Sequence, residues 1–92
     1  MKYRKQYVEV DAAITIDGRM MPRTIHWEDG RKYEISKVKF ITPAPARKAG
    51  GQGDRYTVVV ENQERYLFFE RPIDSDDAAS VGRWFVEAPD VM

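Results

Sequence analysis

The chain predicts an all-β fold: a six-stranded antiparallel small barrel or strongly curved sheet, with one short helix before the last strand. Three observations carry that prediction. The stretch from Thr24 to Ile41, TIHWEDGRKYEISKVKFI, sets Asp29-Gly30 between two β-rich runs. Val8, Val10, Ala12, Ile14 and Ile16 alternate with Glu9, Asp11, Ala13, Thr15 and Asp17, the period-two pattern of a strand with one wet side. RYTVVVENQERYLFFER, from Arg55 to Arg71, reads as a second hairpin.

Taken in order, Met1 to Gln6 is polar and basic, a frayed end or short edge extension. The strand from Val8 stops at Asp17-Gly18, and Arg19-Met20-Met21-Pro22 is expected to make the crossing, since Pro22 lacks a ladder donor. In the central hairpin a two-residue loop would set Ile25 and Trp27 on the side of Lys32 and Glu34, because directly opposed residues share a face. A three-residue loop, Glu28-Asp29-Gly30, with Gly30 left-handed in a G1 bulge, groups Ile25 and Trp27 with Tyr33 and Ile35 instead. Parity then breaks once: Lys37 would point inward, yet the apolar residues are Val38 and Phe40, so a bulge or sharp bend is expected at Ser36-Lys37. Small closed barrels need such bends at their corners.

Thr42 to Asp54, TPAPARKAGGQGD, is expected to be an exposed loop of about a dozen residues, long for so small a domain. In the second hairpin Tyr56, Val58 and Val60 alternate, whereas Tyr66-Leu67-Phe68-Phe69 is apolar on both parities, so both faces need cover. That cover is either the helix or last strand, or a second copy of the chain. Ile73 to Gly82 reads as a short helix, with Asp74 as N-cap and Gly82 just past its end. Arg83 to Glu87 returns to strand. The expected core is Val8, Val10, Ile14, Ile16, Ile25, Trp27, Tyr33, Ile35, Val38, Phe40, Val58, Val60, Leu67, Phe69, Trp84 and Val86.

Ninety-two residues, 42% hydrophobic and 33% charged, fit a single domain spanning 1–92. No run is long and apolar enough for a membrane span, no export signal is evident, and the absence of cysteine removes disulfide and thiol chemistry, so a cytoplasmic location is expected. The 15 basic and 15 acidic residues cancel overall but are unevenly placed. Residues 1–48 hold 11 Lys/Arg against 6 Asp/Glu, and residues 49–92 hold 4 against 9. These charges either neutralise one another across neighbouring strands or leave a basic face for an anionic partner.

No catalytic residue, cofactor loop or metal cluster is legible, and the expectation is a non-enzyme without cofactor or metal. His26, the one histidine, sits on the parity opposite Trp27 without an orienting partner in the sequence. GGQGD, from Gly50 to Asp54, leads into a strand and so lacks the helix that a phosphate-cradling loop opens.

WEDGRKYEISKV resembles Tudor and other SH3-like barrels, in which a W-x-x-G-x-x-Y hairpin precedes a strongly bent strand. That resemblance implies a groove lined by aromatic rings that reads a peptide, a modified residue or a nucleic acid. The longer series, from P-x-x-I-x-W-x-D-G-R-x-Y-x-I at Pro22 to Ile35 through GGQGDRYTV to the terminal WFVE, resembles small bacterial all-β proteins classed as domains of unknown function. These bring no assigned activity and no site residue. The expected function is thus a non-catalytic interaction module for another protein, or for itself as a homodimer through Tyr66 and Phe68. The alternative is a single-stranded nucleic-acid binder using Tyr33, Lys37, Lys39, Arg47, Lys48 and Arg55; an enzyme is the disfavoured third.

Overall fold

The computed structural model describes residues 2–45, 52–71 and 81–89. Six antiparallel strands close a barrel in chain order: β1 (Tyr3–Ile14), β2 (Met20–His26), β3 (Lys32–Pro45), β4 (Gln52–Val60), β5 (Gln63–Glu70) and β6 (Arg83–Pro89). Closure depends on two long strands that change partners. Tyr3 to Val8 of β1 pairs with β6, and Glu9 to Ile14 pairs with β2. Similarly, Lys32 to Glu34 of β3 pairs with β2, while Ile35 to Pro45 pairs with β4. The basic N-terminal segment is therefore the closing strand, not a frayed end, because β6 supplies its ladder partners.

The central turn has the predicted odd length. Trp27 N–H donates to the Arg31 carbonyl at 2.8 Å and Gly30 N–H to the Trp27 carbonyl at 3.0 Å, while Gly30 adopts φ +90°. Ile25 consequently faces Tyr33 across the ladder. The β1–β2 turn repeats the device one hairpin earlier: Thr15 and Arg19 pair, Gly18 N–H donates to the Thr15 carbonyl, and Gly18 has φ +85°. Strand β2 thus starts at Met20, and Met20 to Pro22 are ladder residues, not a crossing. Arg23 is an extra residue between Pro22 and Thr24, and this bulge is what admits a buried proline to the strand.

Strand β3 bends at Ser36 as expected, since Ile35 faces Val60 and Lys37 faces Val59. A second bulge at Lys39, between Val38 opposite Val58 and Phe40 opposite Thr57, was not legible. It turns Phe40 outward, to 62% exposure, and sets Ile41 opposite Tyr56, where it is still 41% exposed. Ile14 and Ile16 also leave the expected core: both are exposed, and none of the described residues covers the tip of the β1–β2 hairpin. The Thr42–Asp54 loop is shorter than its composition implied: Thr42 to Pro45 and Gln52 to Arg55 are cross-strand partners. The turn between β4 and β5 is Glu61-Asn62, both with positive φ, as a two-residue type I′ turn requires. Most of the expected helix, residues 73–80, lies outside the described residues, and Val81 and Gly82 carry no helix. No helix among the described residues is long and apolar enough to cross a membrane.

The bore is filled by Ile25, Tyr56, Val58, Val60, Leu67, Phe69 and Trp84, with Val8, Val10, Met20, Tyr33, Ile35, Val38 and Val86 packed around them. Trp84 is its pivot, meeting Tyr56 edge-on at 5.0 Å and Phe69 edge-on at 4.9 Å. Tyr56 was missed as a core residue. Its hydroxyl donates to the Met20 carbonyl at 3.0 Å, tying β4 to a part of β2 that has no β3 partner, and burial pushes the phenol above its ordinary value. A second cluster lies outside the bore. Phe68 and Phe85 stack at 5.0 Å, nearly parallel, with Tyr7 edge-on to Phe85 at 5.9 Å.

Glu70 fastens β5 to β6 and β1. Its carboxylate accepts from Lys5 Nζ at 2.5 Å, Tyr7 Oη at 3.1 Å and Arg83 Nη2 at 3.0 Å, and its side chain is only 18% exposed. The Lys5 contact first, then Tyr7 and Arg83, hold its pKa below the ordinary 4.5. A depressed carboxylate stabilises the fold fully above the unfolded value and loses that contribution as pH falls through the folded one. Glu70→Gln keeps the shape but removes the charge, and is expected to cost about 1–2 kcal/mol at neutral pH after allowance for solvent screening. Urea titrations should show the gap between the two proteins closing as pH drops below 4.5. A gap unchanged by acid would mean that the ion network contributes nothing. Together with Lys39–Glu64 at 2.6 Å, the Lys5–Glu70 pair shows bases of the N-terminal half neutralised by acids of the C-terminal half.

Candidate functional site

Strands β5 and β6 are paired only from Phe68–Phe85 to Glu70–Arg83. Beyond that short ladder, among the described residues, Gln63 to Leu67 of β5 has only β4 as strand partner and Val86 to Pro89 of β6 only β1. The strands diverge, and the bore opens sideways into a cleft of about 480 Å³, within the usual range for ligand sites. Its floor is core: Ile25, Val58, Val60, Leu67 and Val86. Tyr3, Trp27, Tyr33 and Tyr66 supply aromatic walls, and Glu61, Arg65 and Glu87 bring charge to the lining. The three-residue turn matters here, because it puts Trp27 on the Ile25–Tyr33 side and leaves the indole half-buried at the cleft. The type I′ turn brings Glu61 to the lining as well.

The expected nucleic-acid residues do not gather in this cleft. Tyr33 lines it, whereas Lys37, Lys39 and Arg55 lie on the outer face of β3 and β4, and Arg47 and Lys48 lie outside the described residues. Lys39 pairs with Glu64, and the Arg55 guanidinium sits 4.7 Å above the Tyr66 ring. Of the two expected dimer contacts, Tyr66 is 53% exposed but Phe68 is 2% exposed, covered within its own chain. Tyr3, Trp27, Glu61, Arg65 and Glu87 were not singled out as site residues. Only the pairing of β1 with β6 and the divergence of β5 from β6 bring them together, and neither is local in sequence.

His26 does have an orienting partner. Glu9 and Asp11 share the outer face of β1, Glu9 directly opposes His26, and the ring Nε2 lies 2.8 Å from Asp11 Oδ2 and 4.0 Å from Glu9 Oε2. The three ligand atoms lie within 4.8 Å of one another, a set with the donor types of a weak divalent-cation site. Both carboxylates are solvent-exposed, and Asp11 engages one of the two ring nitrogens, Nε2, which fixes the orientation of the imidazole. The triad reads as a cross-strand polar clasp on the first hairpin. Its signal was Glu-x-Asp on one strand face, usable only once the β1–β2 register was known.

Comparison of the chain with family models, curated proteins and solved structures returns no match.

Proposed function

We propose that this domain is a non-catalytic binding module that takes an extended peptide in the cleft between β5 and β6. One observation carries the reading: among the described residues the edges of β5 and β6 part company beyond Phe68 and Phe85, and between them lies an apolar floor walled by aromatic rings. An unpaired edge offers main-chain donors and acceptors to an added strand, and the cavity beneath receives alternate side chains. The lining carries two carboxylates and one guanidinium, an unfavourable setting for a polyanion and an unremarkable one for a peptide. The likeness to Tudor and other SH3-like barrels supports the same reading, and the lack of cysteine accords with a cytoplasmic setting.

Panning a random-peptide phage library against the folded domain should enrich a consensus with a large apolar residue. Binding should move the backbone amide signals of Arg65 to Leu67 and of Val86 and Glu87. Trp27→Ala, which removes a half-buried wall rather than a core residue, should weaken the enriched peptides at least about tenfold, the effect of losing an aromatic anchor. Enriched peptides that move signals elsewhere, or that ignore Trp27→Ala, would remove the cleft from consideration; so would failure to enrich any sequence.

A further inference from the structure

The outer face of β3, β4 and β5 has no part in the cleft floor, and the register fixes what it displays. Phe40 opposes Thr57, which opposes Tyr66, so the three form one cross-strand row. Thr57 is buried and low between two rings that are 62% and 53% exposed. Two strand spacings separate the rings by about 10 Å. Rings this exposed contribute little burial to the fold, and the register puts both on the outward parity of the barrel wall.

Cations surround that row. Lys37 and the bulged Lys39 precede Phe40 on the same face, and Arg55 lies over Tyr66. Among the described residues neither Lys37 nor Arg55 has a carboxylate partner, and Lys39 is held by the exposed Glu64, a pair that solvent screens. The second bulge of β3 is responsible for the arrangement, since it sends Phe40 out beside the lysines instead of into the bore.

We propose that this face is a second binding surface, distinct from the peptide cleft, for single-stranded nucleic acid. Bases stack on Phe40 and Tyr66 while Lys37, Lys39 and Arg55 meet the phosphates. Stacking rings flanked by lysine and arginine is the combination that binds single strands with little sequence preference. The chain's neutral total charge sets the affinity low and makes it local to this patch.

The test is fluorescence anisotropy with labelled oligo(dT) and oligo(rU) at low salt. Wild type should bind, and log K should fall with log salt at a slope of about −2, for three phosphate contacts on a single strand. Phe40→Ala should weaken binding about tenfold, the loss of one stacked base. Lys37→Glu should weaken it and lower the salt slope by about 0.7, one phosphate contact on a single strand. Trp27→Ala should leave it unchanged, which separates this surface from the cleft; Tyr66 lines both and is not the discriminating position. Absence of binding at low salt, or binding indifferent to Phe40→Ala with the circular dichroism spectrum preserved, would overturn the proposal. Light scattering that shows a dimer dissolved by Phe40→Ala, without nucleic-acid binding, would give the face to a second copy of the chain instead.

Discussion

Gly82→Ala should lower the free energy of unfolding by about 3–5 kcal/mol, the combined cost of backbone strain and overpacking in a tight site. Gly82 has φ +134°, a conformation side chains rarely adopt. A Cβ there would lie 2.5 Å from the Glu70 carbonyl oxygen and 2.5 Å from Phe69 Cζ. Neither neighbour yields easily. Glu70 is locked in the ladder opposite Arg83, and the Phe69 ring stands edge-on against Trp84, the pivot of the bore. Urea unfolding should show a much lower midpoint with an unchanged slope, which marks lost stability rather than a changed end state. Gly30→Ala is the control: it has positive φ but nothing within 4 Å of an added Cβ, so it should pay backbone strain alone, about 1–2 kcal/mol. Equal losses at the two positions would show that the close approach at Gly82 is relieved at little cost.

Gly82 also marks the boundary of what one sequence discloses. Its place after an apparent helical stretch made it look like a helix terminator, whereas the requirement it meets is set by the Glu70 carbonyl and the Phe69 ring, twelve and thirteen residues earlier in the chain. Local requirements were legible. The odd length of the Trp27 turn follows from the parity of Ile25, Trp27, Tyr33 and Ile35, and the bend at Ser36 follows from Val38. The second bulge at Lys39 was hidden because Val38 and Phe40 keep perfect alternation; only the register against Thr57 reveals that a residue has been inserted. The cleft was hidden for a similar reason. Tyr66-Leu67-Phe68-Phe69 and Trp84-Phe85-Val86 both read as strands with two apolar faces, and nothing local says that their pairing stops at Phe68 and Phe85. The same two residues explain why the doubly apolar pattern needs no second copy of the chain: one parity fills the bore, and the other builds a cluster on the outside.

Phe85→Ala tests whether that outer cluster is a core in the energetic sense. The outer face of a small barrel is ordinarily solvated, and truncation of a side chain there usually changes stability by about 0.5 kcal/mol or less. Phe85 is 0% exposed, stacked on Phe68, met edge-on by Tyr7, and topped by Lys5 Nζ at 5.1 Å from the ring centroid. Its removal should cost about 3–5 kcal/mol, as for a phenylalanine in a closed interior. The effect should spread, because Lys5 and Tyr7 reach Glu70 across the same ring row: Phe85→Ala and Glu70→Gln in one chain should fall short of the sum of their separate losses, as expected of residues that share partners. Phe40→Ala, on the same face but exposed, supplies the contrast and should be nearly neutral. A Phe85→Ala protein as stable as Phe40→Ala would mean that the outer rings are merely adjacent, and the barrel would then stand on its bore alone. Among the described residues the bore holds seven buried apolar side chains with seven partly buried ones around them, and a chain of 92 residues buries a modest fraction of its surface on folding, so a second cluster on the far side of β5 and β6 should add measurably to stability.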